Sequence, residues 1–456
     1  GDSSVGQVKV ALGARFRDIG FRDGAMDEVQ IFRQVLTPFE VAVWFAQQKP
    51  NDLLQSPPLT TEMLSESAWL QSPPYRQAMS ELLSAMRAEN EFATQIRRVM
   101  VMKKAVKPRV SRVLKRGAYD APDEIVPAAT PHALPNIQQD SQADRSKLAE
   151  WLVDENNPLV SRVTVNRFWH LFFGRGIVTT LEDFGSQGQP PTHPELLDWL
   201  ARDFMDHGWD VKRLCKQIVL SAPYRRSSQP SAAQDRVIDP DNKWLARGPR
   251  HRLSAEQVRD VVLSACGLLI DRVGGPSVMP YQPDGLWEEA GTGQVYHQAK
   301  GEGLYRRSLY TFWRRTSPPP SMVTFDATSR ETCTARRETT ATPLQALVLL
   351  NDPQFVEAAR VLSEGMIRQH GASHHARWQE AYRRFTSRLP SPAESEVLQS
   401  LYQDQLNQFQ QRPDQAIAFL NIGDRPRDES LDAVDVAATT VVVQALISYD
   451  ETMMKR

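Results

Sequence analysis

Residues 157–228 read NPLVSRVTVNRFWHLFFGRGIVTTLEDFGSQGQPPTHPELLDWLARDFMDHGWDVKRLCKQIVLSAPYRRSS, and they constrain the fold more than any other stretch. Helix punctuation divides them. Asn157 and Pro158 open one helix, because an Asn side chain caps free N–H groups and proline fits the first turn. Gly174 closes that helix. His193 and Pro194 open a second, which runs to Gly208, and residues 211–221 form a third. Asn, Arg, Trp, His, Gly and Asp crowd this stretch beyond what a helical core needs. It is therefore expected to hold a site as well as a fold.

Helical periodicity continues on both sides. In residues 51–105, Met79, Leu82, Leu83 and Met86 recur at helical spacing. Further helices are predicted over 144–153, over 254–269 with Ser254 and Gln257 as a capping box, and over 342–366 from Thr342 and Pro343. Residues 375–411 and 431–447 are read as helical too. Residues 305–316 alternate and carry aromatic or β-branched side chains, so a strand is predicted there. Residues 107–135 are rich in Pro and Gly and read as an extended strap. Near the start, residues 8–16 and 25–32 alternate around a Gly/Asp turn and predict two strands. A helix start follows at Thr37 and Pro38. The fold class is mainly α: a multi-helical domain with long irregular Pro/Gly-rich connections, behind a small N-terminal β segment. The boundaries fall at 1–47, 48–142 and 143–456.

A chain of 456 residues with a net charge of −1 is long enough for two or three domains and has no overall bias toward nucleic acid. Basic clusters at 103–116 and 330–337 read as solvated faces or local anion sites. Cys215, Cys266 and Cys333 are far apart and lack metal-ligand spacing, so no metal is expected. Cys215 and Cys266 read as buried apolar residues, and Cys333 lies in a polar loop. No apolar run is long enough to span a membrane.

Several constellations could carry chemistry. On the helix from residue 158, Arg162, Asn166, Trp169 and Phe173 share one face, and Val163, Arg167 and His170 its neighbour. Asn166 and Arg167 either orient a ligand or tie the 177–192 loop to the helix. His193, at a helix N-terminus beside a Gly/Pro-rich loop, is a candidate catalytic base or ligand, and equally a cap. Asp183-Phe184-Gly185 lacks every companion of a kinase metal motif and reads as a turn. Asp326, a second catalytic candidate, lies with Arg330, Glu331, Arg336, Arg337 and Glu338 before the helix start at Thr342. Arginines there suit an anion, or form an ion-pair network that holds the loop. Tyr281, Trp287 and Tyr296 occupy a Pro/Gly-rich loop and suit sugar stacking or ordinary packing.

Residues 107–456 resemble a known family on the strength of segments 114–117, 157–166, 173–176 (FGRG), 183–185, 191–200, 208–209, 221–228, 252–260, 306–308 and 337–353. The family is the uncharacterised C-terminal domain of large planctomycete proteins that carry cytochrome c modules. Ile19-Gly20-Phe21, Gly24, Asp27-Glu28-Val29 and Leu36-Thr37 resemble the closing segment of a laminin-G, concanavalin-like β-sandwich. The two resemblances together imply an exported, envelope-associated protein with a sandwich remnant at residues 1–47. They also imply that the natural chain extends upstream, toward a cytochrome c module in the same polypeptide. This chain has no CxxCH, so covalent haem would belong only to that upstream region.

Three functions follow as expectations. The first is an extracytoplasmic module that binds or processes an anionic polysaccharide, through Arg330, Arg336, Arg337, Asn166, Arg167, Trp287 and Tyr281. The second is a structural or interaction domain without catalysis. The third is part of a redox enzyme served by the upstream cytochrome c. If His193, Arg336 and Asp326 line one pocket, catalysis or anion binding gains weight.

Overall fold

The computed structural model describes residues 14–15, 19–20, 61, 72–96, 99–103, 109–136, 144–229, 237–291 and 293–455. The chain divides into two compact units, Gly1–Ile125 and Val126–Arg456.

In the first unit, β1 (Ala14–Arg15) pairs antiparallel with β2 (Ile19–Gly20), Ala14 opposite Gly20. Most of residues 1–47, including the helix start at Thr37, lies outside the described residues. α1 (Pro73–Gln95) begins on two prolines, and none of its residues is buried. The expected strap contains a hairpin: β3 (Arg112–Leu114) pairs with β4 (Pro122–Ile125) across a tight turn at Lys115–Gly117. The Lys115 N–H donates to the Ala121 carbonyl at 2.9 Å, and that bond closes the turn.

The second unit is mainly helical. α2 (Arg145–Leu152) is capped by Asp144, whose carboxylate accepts from the N–H groups of Ser146 and Lys147. α3 (Val160–Phe173) starts two residues later than the sequence predicts. The reason is local: Asn157 folds its side chain back, accepting from the Leu159 N–H and donating to the Trp151 carbonyl. It therefore shapes the turn before the helix instead of capping it. α4 (Pro194–Asp206) and α5 (Val211–Leu220) follow as predicted. Val165, Trp169 and Phe173 of α3 meet Leu197, Leu200 and Phe204 of α4 and Leu214 and Ile218 of α5 in one core. The Trp169 and Phe173 rings stack 4.2 Å apart. Each such side chain contributes about 1.5–3 kcal/mol by leaving water.

A larger core follows. β5 (His251–Arg252) leads into α6 (Ala255–Ala265), where Gln257 Oε1 accepts the Ser254 N–H at 2.9 Å, as a capping box requires. Residues 305–316 form no strand. They follow α8 (Glu302–Tyr305), which itself comes after α7 (Leu286–Glu289), and make a 3-10 turn at Ser308–Tyr310 with isolated bridges at Arg306 and Thr311. The alternation misleads because Arg306 points inward. It is 1% exposed, and its guanidinium holds the carbonyls of Arg272, Gly274 and Pro276.

After α9 (Pro320–Thr324), the predicted helix over 342–366 is two helices, α10 (Pro343–Asn351) and α11 (Pro353–His370). Pro353 forces Asp352 into an extended conformation, and the Asp352 carboxylate then caps α11 through the Gln354 N–H. The 375–411 segment likewise splits into α12 (His374–Thr386) and α13 (Pro392–Gln411), with Ser387 in the left-handed region at φ 59°. α14 (Pro413–Leu420) precedes α15 (Ala433–Ile447). The sequence of α15 has no polar stripe, and the helix is buried on every side against α11, α13 and α14. β6 (Met454–Lys455) returns to pair with β5, Lys455 opposite His251.

Among the described residues no helix is long and apolar enough to cross a membrane.

Candidate functional site: an arginine-rich cleft with two half-buried histidines

Within the second unit a cleft of about 1300 Å³ opens between the two cores. One wall is the α3 face with Arg167, His170 and Leu171. The floor is β5, with His251 and Arg252, and the first turns of α6. The other wall is the irregular segment 325–340.

Two hydrogen-bond systems fix that segment. Asp326 has φ 63°, and both its oxygens accept from Thr340, at 2.7 Å from the backbone N–H and 2.9 Å from the hydroxyl. Gln345 extends the chain of bonds. Its Nε2 donates to Thr340 Oγ1 at 3.1 Å, and its Oε1 accepts from Arg252 at 3.2 Å. Arg337 makes a two-pronged bond to Glu256, at 2.6 and 3.1 Å. Burial alone would raise the Glu256 carboxyl. The Arg337 hydrogen bonds, a backbone N–H and the charges of Arg337 and Arg330 outweigh it and hold Glu256 below the usual carboxylate range.

The remaining arginines are less committed. Arg330 stacks its guanidinium over Trp313 at 4.3 Å. Among the described residues Arg336 pairs only with Glu338, at 3.4 Å, and the Glu338 side chain is 81% exposed, so little is gained there. Arg167 has no hydrogen-bond or ion-pair partner among the described residues. The cleft therefore offers cationic groups with unused capacity.

His170 and His251 face this charge. Burial lowers the imidazole pKa of His170, and the positive charge of Arg336 lowers it further. Burial brings His251 down to about 4, helped by His170 and by Lys455 across the strand pair. Both rings are therefore neutral at physiological pH. The Nδ1 atom of each is buried without a partner. Both residues line the cleft, and among the described residues neither Nε2 makes a hydrogen bond. Gly174 sets the position of His251. At φ 74° it caps α3, and a Cβ there would lie 2.7 Å from that of His251.

The cleft brings together Arg167, Asp326, Arg330, Arg336 and Arg337 of the residues singled out from sequence. The others lie elsewhere. His193 lines a second cavity of about 550 Å³ with Trp169, Asp241 and Lys243, its Nδ1 3.0 Å from Thr192 Oγ1. Asn166 is wholly buried and grips the backbone of Val178 on both sides, Nδ2 to its carbonyl and Oδ1 from its N–H, each at 2.9 Å. Of its two readings, the loop tie is the one the geometry uses. Trp287 is 5% exposed, with Tyr296 edge-on to its ring, Phe312 tilted against it and Arg314 over its face, so no sugar can stack on it. The Tyr281 hydroxyl donates to Glu357 and accepts from the Asp424 N–H, which commits it to the core.

His170, which shares a helix face with Arg167 in the sequence, is given no site role by that spacing, and His251 is not marked by the sequence at all. His251 enters only through pairing with a strand 204 positions later, and local sequence carries no trace of that.

Residues 144–402 match the family described as PSD1, protein of unknown function (DUF1553), and the chain belongs to that family. No curated protein and no solved structure matches the chain.

Proposed function

We propose that the second unit binds an anionic polysaccharide in the cleft between its two cores. The observation that carries this reading is the convergence of Arg167, Arg330 and Arg336, with spare hydrogen-bonding capacity, on one cavity of about 1300 Å³. Compact ligands fill roughly 300–1,000 Å³, so this volume favours an extended chain. Planar guanidinium groups suit carboxylate and sulfate oxygens. Phe168 lines the cleft beside Arg167 and adds an apolar side chain to its wall. The likeness of the N-terminal segment to a laminin-G ending, and of the rest to domains accompanying cytochrome c in planctomycete proteins, favours an extracytoplasmic setting. In that setting such polymers are accessible.

The test is binding of the chain to neutral, uronic and sulfated polysaccharides, beside an Arg167→Ala/Arg336→Ala variant. The expected result is binding to acidic polymers only, weakened at least tenfold in the variant and by added salt. Equal binding by the variant, or no binding to any acidic polymer, removes the reading.

A further inference from the structure

We propose that the cleft cleaves uronate-containing polysaccharide by β-elimination, with His170 as the base and Arg336 as the cation that holds the uronate carboxylate. This rests on the anionic-polysaccharide reading and adds a reaction to it.

Elimination makes two demands. A uronate carries a proton on C5, beside its carboxylate, and that proton is hard to remove because the carboxylate is already negative. A guanidinium on the carboxylate takes up the charge that develops there. The base must also be uncharged at the working pH and within reach of the proton. The cleft places both groups together. His170, on the α3 wall, and Arg336, on the irregular segment opposite, line the same cavity. The buried Nδ1 of His170 leaves Nε2 as its working atom.

The step balances within these groups. His170 Nε2 takes H5, and the C5–H electron pair becomes the C4–C5 double bond. The C4–O bond breaks with its electrons on oxygen. The imidazolium, destabilised by burial and by Arg336, returns its proton to the leaving oxygen. No water is consumed and no oxidant or reductant is required.

Hydrolysis fits the same cleft poorly. It ordinarily needs two carboxyl groups, one of them free to donate a proton. Asp326 is held on both oxygens by Thr340, and Glu256 on both by Arg337. Asp260 accepts from the N–H and hydroxyl of Ser308 at 2.8 and 2.7 Å. Asp271 and Glu338 are the remaining acids, and both side chains are largely exposed. Of the lining groups that can take up or release a proton near neutral pH, the two imidazoles make no hydrogen bond among the described residues.

The experiment incubates the full chain with polygalacturonate, alginate and chondroitin. It follows the ultraviolet absorbance of the conjugated unsaturated uronate, and the masses of the fragments, which are lighter by one water than hydrolytic products. Binding is measured in parallel for the wild type and for His170→Gln. The expected result is unsaturated ends from at least one polymer, with product formation falling by about 100-fold or more in His170→Gln while binding is kept. Retained binding also shows that the variant folds. Binding without unsaturated ends overturns the elimination and leaves the binding reading standing. Equal turnover by His170→Gln overturns the role of His170. Absence of binding to every acidic polymer removes both proposals.

Discussion

Replacing Asn166 by Ala gives the most direct test of how this site is supported. The Asn166 carboxamide reproduces one rung of a strand pair by holding both the N–H and the C=O of Val178 at 2.9 Å. Val178 is 3% exposed, so water cannot readily replace either bond. A buried backbone group left unpaired costs about 1–3 kcal/mol. Two such groups give about 4 kcal/mol, or close to a 1000-fold change in a local opening constant. The assay is hydrogen–deuterium exchange of the segment 177–192, which Asn166 ties down. Exchange in Asn166→Ala is expected to quicken by about that factor, while helices α11 and α15 keep their protection. Asn166→Asp separates geometry from chemistry: it keeps the acceptor for the Val178 N–H but sets an oxygen against the Val178 carbonyl, so it is expected to be no better than Ala. Exchange that quickens less than tenfold in Asn166→Ala would show that the loop is held by other means, and the reading of Asn166 as a fastener would fail.

Gly174→Ala combines a left-handed backbone, which costs about 1–2 kcal/mol for a residue with a Cβ, with a collision against His251. A lower melting temperature and weaker binding to acidic polymers are expected together, and unchanged binding would show that the position of His251 does not matter to the ligand. His251 also gives the fold a signed pH dependence. Its folded pKa of about 4 lies below its ordinary 6.5, so the unfolded chain takes up the proton first. Its contribution is therefore complete above pH 6.5 and is lost as pH falls toward 4, by about 3 kcal/mol. Denaturant titrations of His251→Gln against the wild type are expected to show that this part of the acid slope is gone, and parallel slopes would refute the assignment. Glu357 is fully buried and accepts from Tyr281, Tyr305 and the Arg425 N–H. Glu357→Ala strands those donors and leaves Arg360 with Glu364 as its acidic partner, so a loss of about 3–5 kcal/mol is expected in thermal or urea unfolding, and a loss below about 1 kcal/mol would show that water or rearrangement satisfies them.

Much of the helical architecture could be read from local chemistry. Ser254 with Gln257, Thr342 with Pro343 and His193 with Pro194 each mark a helix start, because caps and N-terminal prolines act within one turn. The errors have equally local causes. Pro353 cuts a helix whose apolar periodicity runs straight through it, and Arg306 carries a charge on the side that faces inward, so the alternation around it does not describe a strand. The site was legible in part. Asp326, Arg330, Arg336 and Arg337 are close in sequence, and a short irregular segment keeps them close in space. Tyr281 and Trp287 look the same in sequence whether their rings face a ligand or the core, and only packing decides. His251 could not be found at all, since its neighbours come from α3 and from the far strand β6.

The pairing of β5 with β6 sets an order of events for the growing chain. His251 leaves the ribosome some 204 residues before Lys455, the residue it pairs with. The α3–α4–α5 core has all its parts long before that and is free to form during synthesis. The floor of the cleft is not, because one of its two strands does not yet exist. A nascent chain thus carries the α3–α4–α5 core before it carries a finished cleft, and a cut directly after Asp450 would remove β6 and, with it, Met453 from the larger core.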